Sequence, residues 1–167
     1  NLSKAVKYVR QASEGGADLV AFPEFMNFLP FSRHNIHFET PDGRTTQLLQ
    51  ELAVRYGIVI HAGSILVDSG QDRPYNQSFL VDRDGQILGR YSKTHLVRSV
   101  TPSGEVFHED EFYLPGNDIT VARVLGLSVG TAICYDFRFP ELFRIMARSG
   151  AQVIFVPGNF SMHTGRT

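Results

Sequence analysis

Glu24, Lys93 and Cys134 are side chains of complementary reactivity, and each stands at or just past the end of an apolar run of the kind that forms a buried strand. Residues 18–22 end at Pro23 and leave Glu24 beyond them, residues 86–91 lead to Lys93, and residues 127–133 run directly into Cys134. A thiol attacks carbonyl carbon once it is ionised, a carboxylate takes up protons, and an ammonium favours the thiolate and negative charge developing on an attacked carbonyl. In open α/β sheets, ligands bind in the crevice beyond the carboxyl ends of the strands, so groups delivered there from different strands can meet around one carbonyl-sized space. Taken singly, each residue has an ordinary structural reading. A lone cysteine after an apolar strand is usually a core residue, a glutamate beside proline a solvated loop residue, and a lysine on a hairpin flank a surface charge.

The elements that would hold these groups follow from periodicity and punctuation. Leu2, Ala5, Val6, Val9 and Ala12 recur at three- and four-residue steps, which predicts a first helix capped by Asn1 or Ser3. Gly15-Gly16 separates it from the strand at residues 18–22. After a loop rich in aromatics and proline, Leu48, Leu49, Leu52, Ala53 and Tyr56 form the apolar stripe of a second helix, stopped by Gly57. Residues 58–67 predict one long buried strand or a strand pair, and residues 76–81 and 86–91 flank Asp82-Arg83-Asp84-Gly85 as a hairpin. Residues 119–124 and 127–133 form another pair around Leu125-Gly126, Pro140 opens a third helix running to Ser149, and residues 151–156 make the last strand. Residues 94–117 carry little periodicity, and a connection that long in a compact domain is usually functional or disordered. Helices, strands and interleaved hairpins predict an α/β domain with a mixed sheet covered by helices on one face.

A chain of 167 residues with 43% hydrophobic composition suits one domain with a real core. A formal net charge of -1, with Lys and Arg scattered along the chain, gives no electrostatic footprint for a nucleic-acid partner. No apolar run approaches the roughly 20 residues needed to cross a bilayer, and no secretory pattern opens the chain, so no membrane partner is expected. One cysteine cannot make an internal disulfide, which fits a reducing compartment and an expected cytoplasmic location. His34 and His37 lie three apart, but nothing nearby completes a ligand set and no Gly-rich phosphate loop occurs, so neither metal nor cofactor is expected.

The local sequences go further. Phe22-Pro23-Glu24-Phe25, then Tyr91-Ser92-Lys93-Thr94-His95-Leu96, then Cys134-Tyr135-Asp136-Phe137-Arg138-Phe139-Pro140-Glu141-Leu142 occur in that order. Together they resemble the nitrilase superfamily of carbon–nitrogen hydrolases over essentially the whole chain, and within it the branch holding omega-amidases and related small-molecule amidases. The resemblance implies a four-layer αββα sandwich, homodimers or higher homo-oligomers, and hydrolysis of a small-molecule amide or nitrile without a cofactor. It implies Glu24, Lys93 and Cys134 as the catalytic groups. Cys134 then attacks as a thiolate to form a thioester, with Glu24 as base and later as acid. Lys93 favours the thiolate and, with the backbone N–H of Tyr135, holds the oxyanion. A second glutamate ahead of a Pro-Gly is also implied: Glu109, or Glu111 if the loop is one residue shorter, orienting Lys93 or the substrate.

Asp136, Arg138 and Glu141 suit an ion-pair set holding the turn beneath Cys134 better than substrate contact, with Arg138 a secondary candidate for gripping a substrate carboxylate. Asn159 and Phe160, after the last strand, are expected to line the pocket. The same triad serves an amidase, a nitrilase or an N-carbamoyl amine hydrolase, and a non-catalytic binding protein on the same scaffold is the other alternative. Complete family members carry a strand before the first helix and further elements after the last strand. The expectation is therefore one domain over residues 1–167, incomplete at both termini.

Overall fold

The computed structural model describes residues 1–30, 36–100, 104 and 106–160. Helix α1 (Leu2–Glu14) buries Ala5 and Val9; Asn1 caps it through its carbonyl, which accepts from the Lys4 and Ala5 N–H groups, and not through its side chain. Helix α2 (Arg44–Tyr56) buries Leu49, Leu52 and Ala53 and stops at Gly57, whose φ of 58° is the left-handed end conformation that glycine adopts without a Cβ penalty.

Strand β1 (Leu19–Ala21) runs parallel to β2 (Val59–His61). Strand β4 (Tyr75–Val81) is antiparallel to β2 and to β3 (Ile65–Val67), which lie end to end along one of its edges, while β5 (Ile87–Ser92) lies antiparallel along the other. Strands β1, β2, β3 and β5 therefore share one direction, and the residues after β1 and β5 leave the sheet at the same end. The 94–117 segment holds more structure than its aperiodic sequence predicts. Strands β6 (Arg98–Val100) and β7 (Val106–His108) pair, and a short 3-10 helix follows at Glu109–Glu111. A second sheet places β9 (Leu127–Thr131) between β8 (Val121–Val124), antiparallel, and β10 (Val153–Phe155), parallel. Helix α3 (Pro140–Arg148) is the crossover from β9 to β10.

Alternation along the strands assigns their faces. Ile60, Phe79 and Val81 pack with Val9, Leu49 and Leu52 of the two helices, whereas Val59 and Leu80 point the other way and meet Ala122, Val124 and Val129 of the second sheet. On the far side of the second sheet, Ile133 and the partly buried Ile154 pack with Leu142 and Met146 of α3. Each such side chain contributes about 1.5–3 kcal/mol when fully buried. The result is four layers, αββα. Periodicity predicts a single mixed sheet, and the structure corrects this to two stacked sheets. Strands covered on both faces read as continuous apolar runs, which do not say what covers them. No helix among the described residues is long and apolar enough to cross a membrane.

Candidate active site

Glu24 leaves β1 through Pro23, and the segment that carries it is stitched to the break between β2 and β3. Phe22 N–H donates to the His61 carbonyl, Ser64 N–H to the Pro23 carbonyl, and Met26 N–H to the Ser64 carbonyl. Gly63 sits in that break at φ 66°, where a Cβ would lie 2.0 Å from the Pro23 oxygen. Only glycine lets the two backbones come this close. Lys93 follows β5, with its N–H donating to the Asn76 carbonyl (2.8 Å) and its own carbonyl accepting from Gly116 N–H (2.9 Å). A Cβ on Gly116 would stand 2.2 Å from the Ser92 oxygen. Cys134 opens a 3-10 helix (Cys134–Arg138) directly after β9, with φ 48°, a left-handed conformation uncommon for a residue with a Cβ. Its N–H is held by the Pro157 carbonyl at 2.8 Å.

These three supports bring their side chains together out of water: Glu24, Lys93 and Cys134 are all buried. Lys93 Nζ lies 3.2 Å from Glu24 Oε1 and 2.9 Å from Glu109 Oε2. Glu24 Oε1 also accepts from Asn76 Nδ2 (2.9 Å), and Oε2 from the Asn159 backbone N–H (3.0 Å). Glu109 Oε2 accepts from Val97 N–H at 2.8 Å, which fixes the second carboxylate. Of the two glutamates weighed for this place, Glu109 reaches Lys93, while Glu111 lies near His108, 3.8 Å from its Nδ1.

The charges explain the acidities. Burial weakens the hold of Lys93 on its proton, but Glu24 and Glu109 outweigh it and the ammonium sits above its ordinary value. Burial pushes the Glu109 carboxyl upward, only partly offset by Lys93 and Val97 N–H. Burial and then the Glu24 charge push the Cys134 thiol up to about 11, against the pull of Lys93 and a hydrogen bond from Asn159 N–H. The sequence leads one to expect a thiolate favoured by Lys93. Lys93 does pull toward the thiolate, but burial first and then the Glu24 charge outweigh it, leaving a thiol hydrogen-bonded to the Glu24 carboxylate.

The remaining candidates divide. Tyr135 N–H lies in the first turn of the 3-10 helix, whose opening N–H groups have no partner within the helix. Asn159 reaches the site through its backbone alone, its side chain being exposed. Arg138 is exposed, its guanidinium lying over the rings of Phe137 (5.1 Å) and Tyr135 (5.8 Å). Phe160 is half exposed, edge-on to Phe137. The expected ion-pair set of Asp136, Arg138 and Glu141 is corrected: Asp136 is fully buried and bonds to His95 and Tyr91 instead. Sequence reasoning misses Asn76, which opens the polar Asn76-Gln77-Ser78 run of β4 and carries no local signal that sets it apart. Among the described residues its Oδ1 is a buried acceptor without a partner. His37 stands edge-on to Phe28, and His34 falls outside the described residues. Among the described residues no group of three or more His, Cys, Asp or Glu side chains is arranged to hold a metal.

The family model for carbon-nitrogen hydrolases matches residues 1–167. The omega-amidase NIT2-B of Xenopus laevis is 37% identical over 167 residues, covering 99% of this chain and 60% of that protein. Saccharomyces cerevisiae Nit3, a member of branch 10 of the nitrilase superfamily, superposes with a TM-score of 0.84 at 31% identity, over 99% of this chain and 60% of its own. The amidase from Nesterenkonia sp. AN1 was solved as a Glu-to-Gln mutant with acrylamide added at its active-site cysteine. It is 26% identical with a TM-score of 0.75, over 95% of this chain and 60% of its own. The chain thus spans about three fifths of the length of these relatives.

Proposed function

We propose, because this chain belongs to the carbon-nitrogen hydrolase family, that it is a cysteine-dependent amidase releasing ammonia from a small linear amide. The observation that carries the reading is the buried contact of one ammonium with two carboxylates, beside a thiol bonded to the first of them. In the reaction, Cys134 Sγ forms a bond to the amide carbon as its proton passes to Glu24. Negative charge appears on the carbonyl oxygen, where Lys93 Nζ and Tyr135 N–H receive it. Glu24 then returns the proton to nitrogen, the carbon–nitrogen bond breaks, and ammonia leaves behind a thioester on Cys134. Water deprotonated by Glu24 cleaves the thioester and restores the thiol. Glu109 keeps Lys93 charged and aimed. No step calls on a metal or cofactor.

The similarity to an omega-amidase supports an omega-amide of a dicarboxylic acid as the substrate class, with Arg138 as a peripheral group for the distal carboxylate. A nitrile or an N-carbamoyl amine would use the same three groups. We further read the chain as one domain working as a homo-oligomer in the cytoplasm, where a lone reactive thiol stays reduced. The test is a screen of short amides, nitriles and carbamoyl amines scored by ammonia release, with Cys134→Ala as control. Release from amides is expected, together with its complete loss in Cys134→Ala at unchanged circular dichroism. Unchanged turnover in that variant removes the reading.

A further inference from the structure

The carboxyl group of Asp136, two residues past Cys134, is fully buried and accepts four hydrogen bonds. Oδ2 accepts from Ile133 N–H (2.8 Å), on the residue before the nucleophile, and from Tyr91 Oη–H (2.8 Å). Oδ1 accepts from His95 N–H (2.9 Å) and from His95 Nδ1 (2.8 Å). Tyr91 and His95 stand two residues before and two residues after Lys93. One carboxyl group on the turn that presents the thiol therefore grips both flanks of the segment that presents the ammonium. A second contact repeats the connection: the His95 ring stacks on Phe139 at 3.7 Å with an interplanar angle of 8°, and Phe139 N–H is held by the Asp136 carbonyl at 3.0 Å.

The clamp sits where the backbone most needs one. Cys134 holds its left-handed φ only because its surroundings over-determine it. The bonds from Ile133 N–H to Asp136 Oδ2 and from Asp136 N–H to the Ile133 carbonyl (3.1 Å) bracket Cys134 and Tyr135. We propose that Asp136 is a positioning residue that locks the turn presenting Cys134 to the strand end presenting Lys93, with Tyr91 and His95 as the two anchor points. It touches no reacting atom and acts by fixing where the thiol stands relative to Glu24 and Lys93.

The kinetic arm of the test rests on the proposed amidase reading, whereas the reactivity of the thiol itself needs no substrate. Asp136→Asn turns an amide N–H2 against groups that are themselves donors. Tyr91→Phe removes one hydroxyl and leaves the turn's internal bonds in place. In each folded variant the rate of Cys134 modification by iodoacetamide is followed against pH. The midpoint is expected to fall by about one pH unit, as the thiol slips from its buried place beside Glu24. In parallel, kcat per folded thiol is expected to drop about a hundred-fold in Asp136→Asn with KM nearly constant, the effect of misplacing a reacting group by an ångström. Combining the two substitutions is expected to add nothing beyond Asp136→Asn alone, since both break one clamp. A parental midpoint in folded Asp136→Asn, or additive losses in the double variant, overturns the proposal. If Asp136→Asn does not fold, Tyr91→Phe decides alone: a lowered midpoint supports the clamp and a parental one overturns it. A parent that hydrolyses no amide, while midpoints still fall in the variants, would remove the amidase reading and leave the positioning role standing.

Discussion

Glu24 divides its work between two oxygens. Oε1 is held by Lys93 Nζ and Asn76 Nδ2, while among the described residues Oε2 accepts a single N–H, from the Asn159 backbone. Oε2 is accordingly the oxygen with capacity left for the thiol's proton. Asn76 cannot turn its carbonyl toward Glu24 without setting two acceptors face to face, so its Oδ1 stays buried and unpartnered among the described residues. In the proposed mechanism Glu109 acts at one remove, through its contact with Lys93. In Glu109→Gln the ammonium loses one of its two compensating carboxylates, and the new amide N–H2 opposes either Lys93 or Val97 N–H. Steady-state kinetics are expected to show kcat reduced about a hundred-fold with little change in KM, the pattern of a misaimed charge. A KM effect alone would instead mark Glu109 as a substrate-binding group.

At the scale of elements, two glycines set the spacing of the site. A methyl group at position 63 would meet the Pro23 carbonyl, and one at position 116 the Ser92 carbonyl, each at a distance that forces backbone to move. Those backbones belong to the neighbours of Glu24 and Lys93. Gly63→Ala and Gly116→Ala are each expected to lower stability by about 1–3 kcal/mol, as overpacking does, and to lower kcat by more than the unfolded fraction explains. Urea titration beside kinetics separates the two effects, and wild-type kcat in a destabilised variant would show that these contacts serve the fold alone. The same elements show what the sequence discloses. The helices, the hairpin at residues 82–85 and the placing of Glu24, Lys93 and Cys134 past strand ends are legible because each is written in a local pattern. The partners of Asp136 are not, because Tyr91 and His95 lie more than forty residues away while Arg138 and Glu141 are close enough in sequence to suggest themselves. The β6–β7 pair is hidden for another reason: each strand is only three residues long, too short to establish a period.

Across the whole molecule the site straddles the two sheets, Glu24 and Lys93 leaving the first and Cys134 and Asn159 the second. His61 is a polar tie between them. Its Nε2 lies 3.2 Å from Thr131 Oγ1 of the second sheet, its ring rests 4.8 Å from that of Phe155, and its Nδ1 accepts from Gly63 N–H at 3.3 Å. Burial lowers its pKa to about 4. The unfolded chain takes up this proton below about pH 6.5 and the folded chain does so only near 4. The neutral form's stabilisation is therefore complete above 6.5 and is lost as pH falls from 6.5 to 4, at about 1.4 kcal/mol per unit. Denaturation followed across that window is expected to show this slope and to lose it in His61→Gln; an unchanged slope would mean that other groups carry the acid sensitivity. That two stacked sheets bring the site together is also what no local pattern reveals, since strands buried on both faces look alike whichever layer covers them. The convergence itself is tested most directly by the pH dependence of Cys134 alkylation in the parent, Glu24→Gln and Lys93→Gln. A midpoint of about 11 is expected in the parent, a lower one when the carboxylate is removed and a higher one when the ammonium is removed. One common midpoint in all three folded proteins would mean that the thiol senses neither group, and the shared site would not exist.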